Sequence, residues 1–178
     1  NQKPEIIGRQ EAVQRWNTRE GHAPHKLTEG VLVIARILTD PPMFSIIKDR
    51  DKRLFGFVYG GRETGESGIV DKTIFNAAGR ELGEELFNNN PPIEFNIGPE
   101  NYIAKMTIAS NHVVHAITVN LPPDTKLQAG EEQEAVFPVS AEKIEEYIEE
   151  GIFLPKHAKA WRIYQKWREL QERAISEM

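Results

Sequence analysis

Arg80-Glu-Leu-Gly-Glu-Glu85 sets three carboxylates close together, shortly after the glycine-rich stretch Gly60-Gly-Arg-Glu-Thr-Gly-Glu-Ser67. At about 100° per residue, Glu81, Glu84 and Glu85 fall within about 100° of one another on one helical face. Leu82, Leu86 and Phe75 form an adjacent apolar stripe suited to burial against a sheet. The helix is expected from about Lys72 to Phe87, because Asn88-Asn89-Asn90-Pro91-Pro92 stops it. Asn tolerates the left-handed conformation and Pro cannot continue a helix. Three clustered carboxylates repel at neutral pH unless they are solvated, protonated or neutralised by cations. Mg²⁺, or Mn²⁺, would suit such a cluster and keep enough of its water shell to meet a diphosphate. From the helix alone, a solvated surface face is the ordinary reading, since Glu is a strong helix former. The glycine loop before it and the apolar stripe beside it argue for a site.

Outward from this stretch the chain alternates strands and helices. Val31–Leu38, Met43–Lys48 and Leu54–Tyr59 read as strands joined by turns at Asp40-Pro41-Pro42 and Asp49–Arg53. Tyr102–Ile108, His112–Leu121 and Ala135–Val139 read as further strands. Ser140 opens a short helix that Gly151 stops, and a last helix runs from Lys156 with Ala160, Ile163, Tyr164, Trp167, Leu170 and Ala174 at helical spacing. Residues 9–18 place Ala12, Val13 and Trp16 on one side of another short helix. The expected class is α+β or a mixed α/β/α sandwich, and not an all-parallel sheet.

The glycine loop and the helix together resemble the Nudix signature, G-x5-E-x7-R-E-U-x-E-E-x-G-U, with U aliphatic. Arg80-Glu81-Leu82-x-Glu84-Glu85 matches its core without a change, and Gly60-Gly61 and Gly65-Glu66-Ser67 resemble its loop. Ala77-Ala78 stand where small residues commonly precede the Arg. Three departures are visible. The loop between Gly61 and Glu66 is one residue short, and the gap from Glu66 to Arg80 is thirteen residues, which implies an insertion around Gly68-Ile-Val-Asp-Lys-Thr73. Phe87 and Asn88 replace the closing Gly and aliphatic residue, although Asn88 can end the helix one position later.

The resemblance spans about Val31 to Gly151 and implies a single domain over 1–178, with its core about 31–151 and helical extensions at 1–18 and 156–178. It implies a Mg²⁺-dependent hydrolase that cleaves the diphosphate linkage of a small nucleoside diphosphate derivative, with ADP-ribose or a nucleotide sugar foremost. Glu81 and Glu85 would be metal ligands and catalytic, and Glu84 a direct or water-mediated ligand. A carbonyl of Gly60 or Gly61 would complete the shell, with Gly60 and Arg80 as structural support. The acidic loop Gly130–Glu134 resembles one that supplies a base in the ADP-ribose branch; the candidates here are Glu131, Glu132 and Glu134, with Glu134 or Glu132 foremost. Arg62 and Glu66 would contact substrate, although an exposed loop Arg is the plainer reading of Arg62. Two other classes stay open: a Nudix-fold nucleotide-binding or regulatory module without turnover, and a plain α+β domain with a coincidental acidic helix.

Composition narrows the field further. The chain has 178 residues with 39% hydrophobic and 28% charged, ordinary for a soluble globular domain. Lys and Arg number 22 against 27 Asp and Glu, a net charge of −5 that argues against a nucleic-acid duplex or an anionic membrane as partner. Cys is absent, which removes disulfides, thiolate nucleophiles and Cys-ligated zinc. The longest apolar run, Val31–Ala35, is strand-sized, far short of a membrane span. The N-terminus has no signal-peptide pattern and no initiator Met, so a presequence could have been removed; a cytoplasmic location is the default expectation. No Gly-Lys-Ser/Thr loop or G-x-S-x-G elbow occurs, which excludes a P-loop and a Ser hydrolase.

Other residues carry lesser expectations. His112 and His115 are an odd number of positions apart on a strand, so they face opposite ways and cannot share a metal. His157 reads as a surface residue at a helix start. Trp161 lies off the apolar stripe and reads as exposed, base-stacking or interfacial; with Trp16 and Trp167 it suggests either docking of the helical ends on the core or a homodimer interface, the dimer being the preferred reading. Gly79 costs about 1 kcal/mol in a helix interior, which close packing on the sheet would explain.

Overall fold

The computed structural model describes residues 27–65, 68–91 and 94–177. The expected helix at 9–18 and the loop residues Glu66 and Ser67 lie outside the described residues. Among the described residues seven strands form one mixed sheet: β1 (Thr28–Ile37), β2 (Met43–Asp49), β3 (Phe55–Gly56), β4 (Val58–Gly61), β5 (Tyr102–Ala109), β6 (His112–Leu121) and β7 (Gln133–Val139). The sheet runs β3-β2-β1-β6-β5, with β4 also on β1 and β7 also on β2. β1 and β6 are parallel, from Thr28 opposite His112 to Ile37 opposite Leu121, and the other pairings are antiparallel.

The run Leu54–Tyr59, expected as one strand, is two. Gly56 pairs with β2, Val58 pairs with β1, and Phe57 between them donates its N–H to His157 Nδ1 at 2.8 Å. The chain switches partners there, and a side chain from far along the sequence takes the place of a strand carbonyl.

Among the described residues three helices cover the sheet: α1 (Ile74–Phe87), α2 (Ala141–Glu149) and α3 (Pro155–Ser176). Thr73 caps α1 in a reciprocal box with Asn76, and Asn88 ends it in the left-handed region at φ 48°. Alternation along the strands divides the core in two. Val31, Val33, Ala35 and Ile117 pack with Ala77, Ala78, Leu82 and Leu86 of α1. Leu32, Ile34, Phe44 and Ile46 pack on the other face with Ile144 of α2 and Ala160, Trp161 and Tyr164 of α3. The result is an α/β/α sandwich of the α+β class. Among the described residues no helix is long and apolar enough to cross a membrane.

Two expectations about α3 are corrected. Trp161 is 1% exposed, edge-on to Phe44 with ring centroids 4.9 Å apart, and its Nε1 donates to Glu145 at 2.9 Å. It is a core residue, so the homodimer loses that support. His157 is 6% exposed and sits so close beneath β3 that a Cβ on Gly56 would lie 2.6 Å from its Nδ1. Gly79 is also corrected: a Cβ there would meet only Ile97, at 4.0 Å, so close packing does not account for the glycine and nothing else in the structure explains it.

Burial, with the nearby Lys156 and Lys52 adding to it, lowers the His157 pKa to about 4. The native ring therefore stays neutral while the unfolded ring takes up a proton below its ordinary value of about 6.5. Stability should be level above that pH and fall as the pH drops toward 4, by about 3 kcal/mol from this residue. Thermal unfolding at pH 7 and pH 4.5 checks this: His157→Gln should narrow the gap between the two melting temperatures, and an unchanged gap refutes it.

Candidate active site

β4 delivers Gly60 and Gly61 beneath α1. A Cβ on Gly60 would fall 2.1 Å from the Glu81 carboxyl carbon, so that carboxyl lies directly on the Gly60 backbone. One turn later, Glu85 Oε1 accepts the Tyr59 N–H at 3.3 Å. Glu81 is 8% exposed and hydrogen-bonded to Glu85, whose pKa burial pushes far up, with the neighbouring Glu81 adding to the shift. Burial raises the Glu81 pKa too, opposed by the hydrogen bond from Glu85 and by Arg80. Glu85 thus holds a proton and donates it to Glu81, since two carboxylates this close cannot both stay charged without a counter-ion. Glu84 stands at the rim, partly exposed.

Arg80 is the brace of this end. Its Nη1 donates to Glu81 at 2.9 Å and to Glu84 at 3.1 Å, and its Nη2 to the Gly61 carbonyl at 2.9 Å. Nε and Nη2 also reach the two carboxyl oxygens of Asp71, at 3.2 and 2.9 Å. Asp71 has a side chain only 4% exposed and also accepts the Glu63 N–H. Sequence reasoning passed over Asp71 as part of an insertion; only its presence nine residues before Arg80 could have signalled the pair. Burial alone would raise its pKa, but the bonds from Arg80 and the Glu63 N–H outweigh that and lower it.

Arg62 is placed elsewhere than expected. It donates to Glu29 at 2.9 Å and to the carbonyls of Asp71 and Lys72, which ties the glycine loop to β1. Glu29 in turn meets His115 Nε2 at 2.8 Å, and His115 Nδ1 meets the Tyr102 hydroxyl. His112 contacts Thr28 instead, apart from that network.

The acidic loop is pinned to α1. Gln128 N–H donates to the Leu86 carbonyl at 2.7 Å, and a Cβ on Gly130 would lie 2.4 Å from the Glu84 carbonyl. This carries Glu131 and Glu132 to the mouth of a cleft of about 1140 Å³ that Glu81, Glu84 and Glu85 also line. Glu134 points away, toward Lys48 at 3.6 Å and Arg53 at 3.4 Å. Neither Glu134 nor Arg62 lines that cleft.

Among the described residues, no group of three or more acidic or histidine side chains is arranged to hold a metal ion. The donor chemistry nonetheless fits one. Glu81 and Glu85 share a proton over a glycine that leaves room for nothing larger, and a hard dication is the natural replacement for that proton. Gly60→Ala should drive Glu81 off this position, costing about 1–3 kcal/mol of stability and weakening Mn²⁺ binding. Gly61→Ala, with nothing within 4 Å of its Cβ, is the control and should be tolerated. Thermal unfolding with and without Mn²⁺ reads both; equal behaviour of the two variants would contradict the cradle.

No family model and no curated protein matches the sequence. Solved structures do match. The Nudix domain of Shewanella oneidensis NrtR, complexed with ADP ribose, aligns at a TM-score of 0.61 and 12% identity, over 90% of this chain and 98% of that one. A C. elegans Ap4A hydrolase aligns at 0.59 and 14% identity, over 80% and 98%. A bifunctional NMN adenylyltransferase/ADP ribose pyrophosphatase from Francisella tularensis, complexed with AMP and a Mn ion, aligns at 0.59 and 16% identity over 89% of this chain and 47% of that one. At these identities the likeness is one of fold.

Proposed function

We propose that this chain, which has the Nudix fold, is a divalent-metal-dependent hydrolase of the diphosphate linkage in small nucleoside diphosphate derivatives. The observation that carries the reading is the buried Glu81–Glu85 pair laid over Gly60 in a cleft large enough for a nucleotide. ADP-ribose and nucleotide sugars are the foremost substrates, given that two of the similar structures are an ADP-ribose-bound domain and an ADP ribose pyrophosphatase.

Glu81 and Glu85 would hold the cation, with Glu84 joining directly or through water. When bound, Mg²⁺ or Mn²⁺ draws charge from the diphosphate oxygens and makes water more acidic. The chain's own groups do the rest. Arg80 is saturated by Asp71, Glu81, Glu84 and the Gly61 carbonyl, so it orients the carboxylates and does not reach for substrate. The Gly61 carbonyl already accepts from Arg80. Glu132, with Glu131 beside it, is the base that takes the proton of the attacking water, because their loop faces the cleft and Glu134 does not.

The test is hydrolysis of ADP-ribose, UDP- and GDP-sugars, dinucleoside polyphosphates, NADH and nucleoside triphosphates with Mg²⁺, Mn²⁺ or EDTA. Metal-dependent cleavage that Glu85→Gln abolishes supports the hydrolase. Nucleotide binding without turnover on any substrate would replace it with a binding module.

A further inference from the structure

The lining of the cleft also carries basic groups that the helix glutamates do not explain, beside Asp49 and Asp51 at the β2–β3 turn. The β2–β3 turn contributes Lys52, and the first turn of α3 contributes Lys156 and His157; all three line the cleft. Both lysines are exposed, and among the described residues neither side chain has a carboxylate partner. Asp49, close by in the turn, has its Oδ1 occupied by the N–H groups of Asp51 and Lys52.

The α3 N-terminus is open. Its cap residue Leu154 supplies no side-chain acceptor and Pro155 has no N–H, so the N–H groups of Lys156 and His157 have no acceptor among the described residues. Such a helix end favours an anion, through its free N–H groups and its dipole. An independent group points the same way. His157 is 94% buried by its 6% exposure, and its Nδ1 is taken by the Phe57 N–H. A neutral ring then carries its proton on Nε2, a donor with no partner among the described residues. Burial, with Lys156 and Lys52 adding to it, keeps the ring neutral.

We propose that Lys52, Lys156, His157 Nε2 and the first turn of α3 form a phosphate-binding subsite for a terminal phosphate monoester carried by the substrate. The idea rests on reading the same cleft as the diphosphate-hydrolysing site, and it narrows the substrate class. Diphosphates bearing a further terminal phosphate should be preferred over those ending in a neutral sugar, by about tenfold in kcat/KM, as one charge-assisted contact would give.

The direct test uses the full chain in EDTA at pH 7.5 and constant ionic strength, following the His157 ring resonances by NMR. Ribose 5-phosphate, inorganic phosphate and ribose are the probes, on the wild type and on Lys52→Ala/Lys156→Ala, whose exposed positions should leave folding intact. Saturable shifts with ribose 5-phosphate, none with ribose, and at least tenfold weaker binding in the double variant are expected. Binding of inorganic phosphate but not of ribose 5-phosphate would overturn the substrate-borne phosphate. No phosphate-dependent shift, or equal shifts in both proteins, would overturn the subsite. Because the probes need neither metal nor turnover, failure here is distinct from failure of the hydrolase panel: the one removes the subsite, the other the chemistry.

Discussion

Glu85→Gln should lower kcat by about 10³-fold or more while leaving the melting temperature unchanged or higher. Carboxylate or metal-centred contributions of that kind are worth several kcal/mol of transition-state stabilisation. Stability moves the other way because Glu85 is buried, carries a strongly raised pKa and leans on Glu81. A Gln keeps the shape, accepts the Tyr59 N–H at the same place and donates to Glu81 through its amide, without a group that resists ionisation. Activity assays beside thermal unfolding decide the matter. A variant that lost activity and stability together would make Glu85 a folding residue, and one that kept its activity would remove it from the site.

Trp161→Ala should cost about 3–5 kcal/mol, the range for emptying a large aromatic site in a core. In a chain of this size that lowers the melting temperature by roughly ten degrees. The ring is enclosed by Phe44, Tyr164 and Phe57, and its N–H joins α3 to α2 through Glu145. Trp161→Phe, which keeps most of the packing and drops the hydrogen bond, should lose far less. If Trp161→Ala melted within two or three degrees of the wild type, the packing of α3 on the sheet would be wrong.

The acidic helix, its stop at Asn88 and its apolar face were legible because each is local: side-chain spacing sets the face and a single residue sets the end. The same holds for the strand His112–Leu121, which begins and ends as the sequence suggests. What stayed illegible depends on partners distant in the chain. Glu29 and His115 meet across 86 residues, and Phe57 and His157 across 100. The buried stripe of α3 is His157, Ala160, Trp161 and Tyr164, a regular helical pattern. Ala160 and Tyr164 stand at the spacing the sequence suggests, whereas the polar tips of His157 and Trp161 suggest a surface and hide their place in the same stripe. At the site, the helix glutamates declared themselves by spacing. Asp71 did not, since pairing with Arg80 depends on how the loop folds back, and Glu134 could be separated from Glu131 and Glu132 only once the loop was seen against α1.

The coupling of Phe57 to His157 also bears on how the protein is made. Every strand of the sheet precedes α3 in the chain, yet one face of that sheet, Leu32, Ile34, Phe44 and Ile46, is covered largely by α3. During synthesis the part of this face that α3 covers stays bare, and the Phe57 N–H stays without its side-chain acceptor, until the ribosome has released the segment around Tyr164. The nascent chain therefore passes through an interval in which it displays an uncovered apolar sheet, the kind of surface that chaperones bind and that aggregates if they do not.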